Sequence, residues 1–249
     1  MTATQPATDF GHITTVIFDM DGTLIEHTWQ LDYICRRLFE VFADRLAPVT
    51  LDEFYACYWE KSVDMWHMMV DGVLDGETAA RYGYANTLRQ LQLDESLAVP
   101  MLNRWRELVL EEAVPFDDTY TVLKAVGRKY TTGILTNGFT VLQRQKIDKY
   151  NLADYVDFTL VSEEAGCHKP DPQVFRQALA CANSAAPEET IYVGDNLVAD
   201  VEGALLAGIT PIFMNAKNNA EMPPKGVLTI RRLSDLLTLL NLPEPPAAP

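Results

Sequence analysis

The stretch VIFDMDGTL, residues 16–24, joins an apolar run to two carboxylates, Asp19 and Asp21. The run Val16–Phe18 is β-branched and aromatic, which is typical of a buried strand. Two aspartates so close together repel each other, and folding alone gains nothing from placing them at the end of a strand. The stretch therefore predicts either a polar loop or an active site built on the end of that strand.

From about residue 114 onwards, short apolar runs alternate with amphipathic segments. The runs that read as strands are TTGILT at 131–136, VDFTLVS at 156–162, TIYVGD at 190–195 and ITPIFMN at 209–215. Parallel strands need a helical crossover, so strands that alternate with helices indicate a parallel sheet. With TTVIFD at 14–19 as a further strand of this sheet, the sequence predicts an α/β fold.

A helical segment separates the first predicted strand from the others. Residues 28–113 carry apolar side chains at a period of about 3.6 residues and no β-branched runs, which predicts four or more helices. We therefore expect two domains. Residues 1–27 and 114–249 form an α/β core, and residues 28–113 form an inserted helical domain.

The composition limits the classes of function. With 249 residues, of which 48% are hydrophobic, the chain can bury a sizeable core. Its 20 Lys and Arg against 35 Asp and Glu give a net charge of −15, and the sequence shows no basic cluster. Such a surface repels phosphate backbones and anionic lipids, so we expect no nucleic acid and no membrane as partner.

Two sequence features bear on the compartment. The first twelve residues contain no basic side chain and no apolar run, and no apolar stretch of the chain reaches the roughly 20 residues that span a bilayer. The cysteines lack metal-ligand spacing and are expected to be reduced thiols; they are Cys35, Cys57, Cys167 and Cys181. We expect a cytoplasmic protein without a secretory signal.

Polar residues follow several of the predicted strands. In an open parallel sheet the ligand lies beyond the carboxyl ends of the strands, so these residues are expected to share a cleft. The carboxylates among them are Asp19, Asp21, Asp195 and Asp200. Such a cluster needs either a cation or bound protons, and oxygen ligands without His or Cys suit Mg²⁺.

The same cleft has groups that suit an anion. Thr136 offers a hydroxyl, the backbone N–H groups of Asn137 and Gly138 precede a predicted helix, and Lys169 adds a positive charge. Phosphoryl transfer needs positioning and charge neutralisation, which this set together with Mg²⁺ can supply. A carboxylate nucleophile can then form an aspartyl-phosphate, and Asp21 can move the proton.

Four segments together resemble the motifs of the haloacid dehalogenase-like (HAD) superfamily, in the order of that family. They are FDMDGTL at 18–24, ILTNG at 134–138, CHKPDPQVF at 167–175 and VGDNLVADVEGALLAG at 193–208. The resemblance implies a Rossmann-like three-layer core with a parallel five-stranded sheet of order 5-4-1-2-3. It also implies that the inserted helices form a C1-type cap, as in subfamily I phosphatases.

The resemblance assigns a role to each motif residue. Asp19 is the implied nucleophile and Asp21 the general acid and base, while Lys169 steadies the nucleophile and the phosphate. The implied phosphate-binding residues are Thr136, Asn137, Gly138 and Lys169. The implied metal ligands are Asp19, Asp21 through its backbone carbonyl, Asp195 and, more weakly, Asp200, with a minor part for Asn196.

These roles predict a Mg²⁺-dependent phosphomonoester hydrolase that acts on a small phosphorylated metabolite. Three alternatives stay open at this point. A β-phosphoglucomutase-like phosphomutase shares all four motifs. A 2-haloacid dehalogenase needs no metal and lacks an acid at the position of Asp21, and a non-catalytic binding protein of this fold typically loses a nucleophile or a metal ligand.

Specificity is expected to lie in the inserted helices. Candidate pocket residues are Trp66, His67, Met68 and Met69, with Arg81, Tyr82 and Tyr84 as further candidates. Apolar residues at helical spacing also suit ordinary core packing. His168 and Cys167, beside Lys169, are interpreted as loop residues. The substrate stays open, and the chain is expected to be a monomer or a homodimer.

Overall fold

The computed structural model describes residues 10–26, 31–218, 220 and 222–243. The strands are β1 Thr15–Phe18, β2 Ile25–Glu26, β3 Val114–Pro115, β4 Thr131–Thr136, β5 Phe158–Val161, β6 Thr190–Gly194, β7 Thr210–Met214 and β8 Leu228–Ile230. The helices are α1 Leu31–Leu46, α2 Leu51–Val70, α3 Gly76–Gln90, α4 Ala98–Glu112, α5 Thr119–Val126, α6 Thr140–Lys149, α7 Ser162–Ala165, α8 Pro172–Cys181, α9 Gly203–Leu206 and α10 Asp235–Leu239. A π-helical turn, Leu197–Glu202, leads into α9.

Strand β1 lies in the interior of a six-stranded parallel sheet with the order β5-β4-β1-β6-β7-β8. It pairs with β4 on one side and with β6 on the other, so that Val16 lies opposite both Thr132 and Ile191. All four residues of β1 are buried. A strand that is covered on both faces is apolar on both, which explains the uninterrupted apolar run Val16–Phe18.

The predicted sheet of five strands in the order 5-4-1-2-3 is wrong and needs correction. The sheet has six strands, and counted in the same way its order is 6-5-4-1-2-3. The additional strand, β8, is only three residues long and follows β7 without an intervening helix, yet the two strands pair in parallel. The alternation of strands and helices therefore gave no signal for it. The α/β class and the parallel sheet are confirmed.

The chain enters and leaves the inserted helices α1–α4 at one place. Strands β2 and β3 flank the insertion and pair antiparallel, with Ile25 opposite Pro115. The insertion has an apolar cluster whose fully buried members include Leu38 and Phe54, and this cluster continues into α6 through Leu142. The inserted helices are therefore packed against α6 as well as against each other.

Two predictions touch residues outside the described ranges. The boundary between residues 27 and 28 falls there, so the division into two domains stays a prediction. Most of the N-terminal stretch that was interpreted as lacking a secretory signal also lies outside. Within the described part of the chain, no helix combines the length and the apolar character that crossing a membrane requires. The cysteines are free thiols, of which Cys35 and Cys57 are buried and Cys181 is exposed.

The packing of β4 against β5 leads to a test of the fold. A Cβ atom on Gly133 would lie 2.1 Å from the ring of Phe158, so Gly133→Ala must displace that ring. We expect the substitution to lower the free energy of unfolding by about 1–3 kcal/mol, as overpacked cores do. Urea unfolding followed by tryptophan fluorescence measures the loss.

A second substitution serves as the control. In Phe158→Ala the ring is absent, so adding Gly133→Ala should cost less than it costs in the wild-type chain. Equal costs in the two backgrounds would show that the Gly133–Phe158 contact does not set the packing of these strands.

Candidate active site

The carboxyl ends of β1, β4 and β6 meet at one edge of the sheet, and the polar residues of the motifs follow them. Asp19 comes directly after β1, and its backbone N–H donates to the carbonyl of Val193 in β6 over 2.8 Å. Thr136 is the last residue of β4, and Asp195 follows β6. Adjacent parallel strands thus bring residues that lie far apart in sequence into one cleft.

Lys169 lies at the centre of the cleft and is buried. Its Nζ donates to Asp19 Oδ1 over 2.6 Å, to Asp200 Oδ1 over 2.6 Å and to the hydroxyl of Tyr192 over 2.9 Å. The Tyr192 hydroxyl in turn donates to the carbonyl of Leu135. Burial disfavours the ammonium, but the two carboxylates outweigh it and raise the pKa of Lys169 above its ordinary value. The lysine is therefore a fixed positive charge.

Three carboxylates surround this charge. Oxygen atoms of Asp19, Asp195 and Asp200 lie within 4.8 Å of one another. Burial raises the pKa of Asp19 well above its ordinary value. Burial and the negative charge of Asp200 raise the pKa of Asp195 to about 7. One ammonium does not compensate three crowded anions, and a set of oxygen donors in this arrangement suits a divalent cation.

Two glycines make the crowding sterically possible. Gly22 has a φ of +89°, and a Cβ there would lie 2.0 Å from a carboxylate oxygen of Asp195. At Gly194 a Cβ would lie 2.4 Å from the carboxyl carbon of Asp200. The glycines of the GT and GD pairs are therefore needed, because a side chain at either position would clash with a carboxylate.

The residues predicted to bind phosphate are partly engaged with each other. The Asn137 side chain bonds the backbone of Lys169 twice, as donor to its carbonyl and as acceptor from its N–H, each over 2.9 Å. The Gly138 N–H donates to Ser162 Oγ over 3.2 Å. Asn137 therefore fixes the loop that carries Lys169.

Asp21 has two partners that the sequence analysis missed, and both lie on α6. The Nζ of Lys146 donates to both carboxylate oxygens of Asp21, over 2.9 and 2.8 Å. Gln143 Nε2 donates to Asp21 Oδ2 over 2.9 Å and to Thr136 Oγ1 over 2.7 Å. Gln143 and Lys146 stand three residues apart and thus share a helix face, which was the available signal. Both are buried.

Other residues singled out by the sequence have structural contacts. Asn196 Oδ1 accepts the N–H groups of Val198 and Ala199, which makes Asn196 a helix cap. Asp200 accepts the Asn196 N–H through Oδ2 and the ammonium of Lys169 through Oδ1. His168 Nδ1 lies 2.7 Å from Ser162 Oγ, and burial lowers the pKa of His168.

A cavity of about 440 Å³ opens beside Asp21, between the inserted helices and the start of α6. Three of the seven candidates in the insertion line it: Trp66, His67 and Tyr84. Met69 is buried, and Arg81 packs its guanidinium over the ring of Tyr82, 5.0 Å from the centroid. The cavity also contacts Trp105 and Phe139, which the sequence analysis did not single out.

Glu163 joins the inserted helices to the other side of the cleft. Its carboxylate accepts the N–H of Gly76, at the start of α3, over 2.6 Å and the N–H of Thr140, at the start of α6, over 2.7 Å. Negative charge at the N-terminus of a helix is stabilising, and here one carboxylate serves two helices. This contact holds the insertion over the cleft in the observed arrangement.

Comparison with known proteins gives a family match over most of the chain. Residues 13–208 match the family model described as haloacid dehalogenase-like hydrolase. The chain is 32% identical to pyrimidine 5′-nucleotidase YjjG of Escherichia coli over 132 residues, which are 53% of this chain and 58% of that relative. It is 26% identical to glyceraldehyde 3-phosphate phosphatase of Pyrococcus furiosus over 215 residues, 84% of each chain.

Solved structures share the fold. HAD-hydrolase YfnB of Bacillus subtilis, bound to magnesium, superposes with a TM-score of 0.70 at 23% identity and covers 92% of this chain and 99% of its own. A 2-haloacid dehalogenase from Pseudomonas syringae gives a TM-score of 0.70 at 24% identity, covering 92% and 98%. At these identities the likeness shows the fold alone.

The pKa of Asp195 leads to a test in metal-free buffer. Its carboxyl has a pKa of about 7 in the folded chain against 3.8 as the ordinary value, so the folded state binds the proton more tightly. This group stabilises the fold fully below about pH 4, and the stabilisation is lost as the pH rises through about 7. Urea midpoints measured in EDTA across this range should therefore fall with rising pH.

Asp195→Asn is the matched control, because the amide cannot titrate. The variant should show a flatter dependence of the urea midpoint on pH than the wild-type chain. Parallel profiles for the two proteins would contradict the raised pKa.

Proposed function

Because the chain belongs to the haloacid dehalogenase-like hydrolase family, as its four motifs indicate, we propose that it is a Mg²⁺-dependent phosphomonoester hydrolase. One observation carries the proposal. The carboxylate of Asp21 stands free of the Lys169 cluster, two residues after Asp19, and is linked through Gln143 to the hydroxyl of Thr136. An acid held beside both the nucleophile and the phosphate-binding hydroxyl is what phosphate ester hydrolysis requires.

The family establishes the coarser part of this function. The predictions of the HAD superfamily and of a hydrolase are confirmed by the family match, and phosphatase activity is supported by relatives that are named for it. These relatives differ in their named substrates, which include phosphoserine, glyceraldehyde 3-phosphate and pyrimidine nucleotides. The small phosphorylated metabolite and the cytoplasmic location therefore belong to the proposal.

The carboxylate cluster fits Mg²⁺. It offers three carboxylates with oxygens within 4.8 Å of one another. Burial, together with the neighbouring carboxylates, raises the pKa of Asp19 and of Asp195, and a bound cation would favour their ionised forms. We assign the side chains of Asp19 and Asp195 and the backbone carbonyl of Asp21 as ligands. Asp200 is the weaker ligand, because both of its oxygens accept hydrogen bonds from the protein. When bound, the ion neutralises charge on the phosphate and the carboxylates.

The side chains of this cleft divide the reaction into two steps. In the first, a carboxylate oxygen of Asp19 attacks phosphorus, the bond between phosphorus and the leaving oxygen breaks, and Asp21 gives that oxygen a proton. In the second, Asp21 removes a proton from water, whose oxygen attacks phosphorus and releases inorganic phosphate and the free Asp19 carboxylate. Thr136 and Lys169 hold the phosphoryl group, and Lys169 orients Asp19 by donating to its Oδ1. The positive charge of Lys169 also favours the ionised carboxyl, against burial, which raises the pKa of Asp19.

We further propose that residues 28–113 act as a cap on a core formed by residues 1–27 and 114–249. The cavity beside Asp21 lies between the insertion and α6, so a leaving group bound there is enclosed on both sides. Enclosure excludes water and strengthens the electrostatic interactions in the cleft. It also favours a small metabolite over a macromolecular substrate.

A dehalogenase is the less favoured reading, although solved dehalogenases share the fold. Dehalogenases of this family lack an acid at the position of Asp21, whereas here two buried side chains of α6 hold that acid in place. A non-catalytic role is also disfavoured, because the nucleophile, lysine and metal-binding carboxylates are all present. A phosphomutase shares the same residues and stays an alternative that product analysis separates.

The direct test uses the purified full chain with p-nitrophenyl phosphate. We expect turnover with Mg²⁺, none above background in EDTA, and a loss of at least about 10³-fold in Asp19→Asn, because the amide cannot act as nucleophile. Asp154→Asn, an exposed aspartate distant from the cleft in sequence, is the matched control and should retain full activity. Metal-independent turnover, or full activity of Asp19→Asn, would refute the proposal.

The contact of Lys146 with Asp21 gives a further prediction. Lys146→Met removes the ammonium that orients Asp21, so protonation of the leaving oxygen should suffer. We expect kcat/KM, which reports the first step, to fall by about tenfold or more for alkyl phosphates, which need the proton, and much less for p-nitrophenyl phosphate, which does not. An equal fall in kcat/KM for both substrates would mean that Lys146 does not orient Asp21 for proton donation.

A further inference from the structure

The cavity beside Asp21 has a lining of unusual chemical character for a site that must accept a phosphate ester. Five aromatic side chains line it: Tyr58, Trp66, Tyr84, Trp105 and Phe139. The remaining lining combines apolar side chains, such as Leu102 and Leu142, with polar ones. A volume of about 440 Å³ is within the usual range for a bound small molecule. The part of the substrate that enters it therefore meets ring faces and methyl groups.

The charges at the cavity are paired within the protein. Among the described residues that line it, the carboxylate is Asp21 and the ammonium is Lys146, and these two bind each other through both carboxylate oxygens. No arginine is among these lining residues. A second phosphate, a carboxylate or an ammonium on the leaving group would lose its hydration here without gaining an opposite charge, which is costly.

From this lining we infer that the substrate is a monophosphate ester whose alcohol part is uncharged and carries a flat unsaturated ring, as in a nucleoside 5′-monophosphate or an aryl-methyl phosphate. The inference rests on the phosphatase function proposed above and names its substrate class. The phosphate lies at the Asp19 and Lys169 end of the cleft, and the ring enters the cavity under the inserted helices.

The aromatic residues differ in their freedom to receive a ring. Tyr58 and Tyr84 stack on each other, with centroids 4.7 Å apart and planes at 20°, and both are buried. Trp105 and Phe139 meet edge to face at 6.3 Å. Trp66 is 41% exposed, so its indole can stack on a ligand without breaking a packed contact.

The cavity also offers hydrogen-bonding groups for a polar ring. The hydroxyl of Ser62 and the imidazole of His67 belong to the same helix, α2, as Trp66. A heterocyclic base carries donors and acceptors on its edge and a π-face above it, and both can be met from this helix. A sugar phosphate without a base would leave the aromatic faces uncovered.

The test compares pairs of substrates that differ by the ring. Phosphate release by the full chain with Mg²⁺ is measured for two pairs of substrates. The first pair is uridine 5′-monophosphate and ribose 5-phosphate, and the second is benzyl phosphate and propyl phosphate. O-phosphoserine tests whether a charged leaving group is excluded from the cavity. We expect kcat/KM to be at least about tenfold higher for the ring-bearing member of a pair, because only that member can stack on an aromatic side chain of the cavity. A preference in the first pair alone identifies the nucleoside, and one in both pairs identifies any flat ring.

Two tryptophans of α2 provide a matched pair of variants. Trp66→Ala should remove most of the preference for the ring, so that kcat/KM falls more for the ring-bearing member of each pair than for the other member. Trp59→Ala changes a similarly exposed tryptophan that does not line the cavity and should leave the preference unchanged. An unchanged preference in Trp66→Ala would overturn the placement of the ring in this cavity.

The failure of this inference differs from the failure of the proposed function. Turnover of ribose 5-phosphate, propyl phosphate or phosphoserine that equals or exceeds that of the ring-bearing esters would overturn the substrate class and leave the phosphatase standing. Absence of Mg²⁺-dependent turnover on every ester, p-nitrophenyl phosphate included, would refute the phosphatase itself.

Discussion

The site depends on one buried group of ion pairs, in which Lys169 binds the carboxylate of Asp19, after the end of β1, and that of Asp200, within the π-helical turn. Burying these charges costs free energy, and their mutual attraction offsets the cost only with good geometry and further hydrogen bonds. The Tyr192 hydroxyl accepts such a bond from the Lys169 ammonium, and the Asn137 side chain holds the backbone of Lys169 in place. The sheet therefore fixes the positions of buried charges that would be unstable without these contacts.

The proposed function rests on the different partners that the acids of the cleft have. Asp19 accepts a hydrogen bond from Lys169 and is thereby oriented, whereas Asp21 is held on the side of α6 by Lys146 and Gln143. The proposed nucleophile and the proposed proton donor thus have separate partners although they stand two residues from each other. Glu163 bonds the starts of α3 and α6, so the same part of the molecule that positions Asp21 also fixes the cavity above it.

The sequence could predict the motif residues because parallel strands end at one edge, so that Asp19, Thr136 and Asp195 had to meet. It could not predict β8, because a three-residue strand without a preceding helix has no periodic signal. Lys146 and Gln143 were missed for another reason. Their helix face is buried by tertiary packing, and a polar pair three residues apart on a helix usually faces solvent. The aromatic cavity likewise combines α2, α3, α4 and α6, whose arrangement no local pattern contains.

The central claim, that Asp19 is the nucleophile of a phosphoryl transfer, is tested most directly by trapping the covalent intermediate. Asp21→Asn slows the attack of water, so the variant is mixed with Mg²⁺ and acetyl phosphate labelled at phosphorus, quenched in acid and digested. We predict label on the peptide that contains Asp19, and none when Asp19→Asn is added. Label on a different residue, or release of phosphate at the wild-type rate with no labelled Asp19 peptide, would contradict the account.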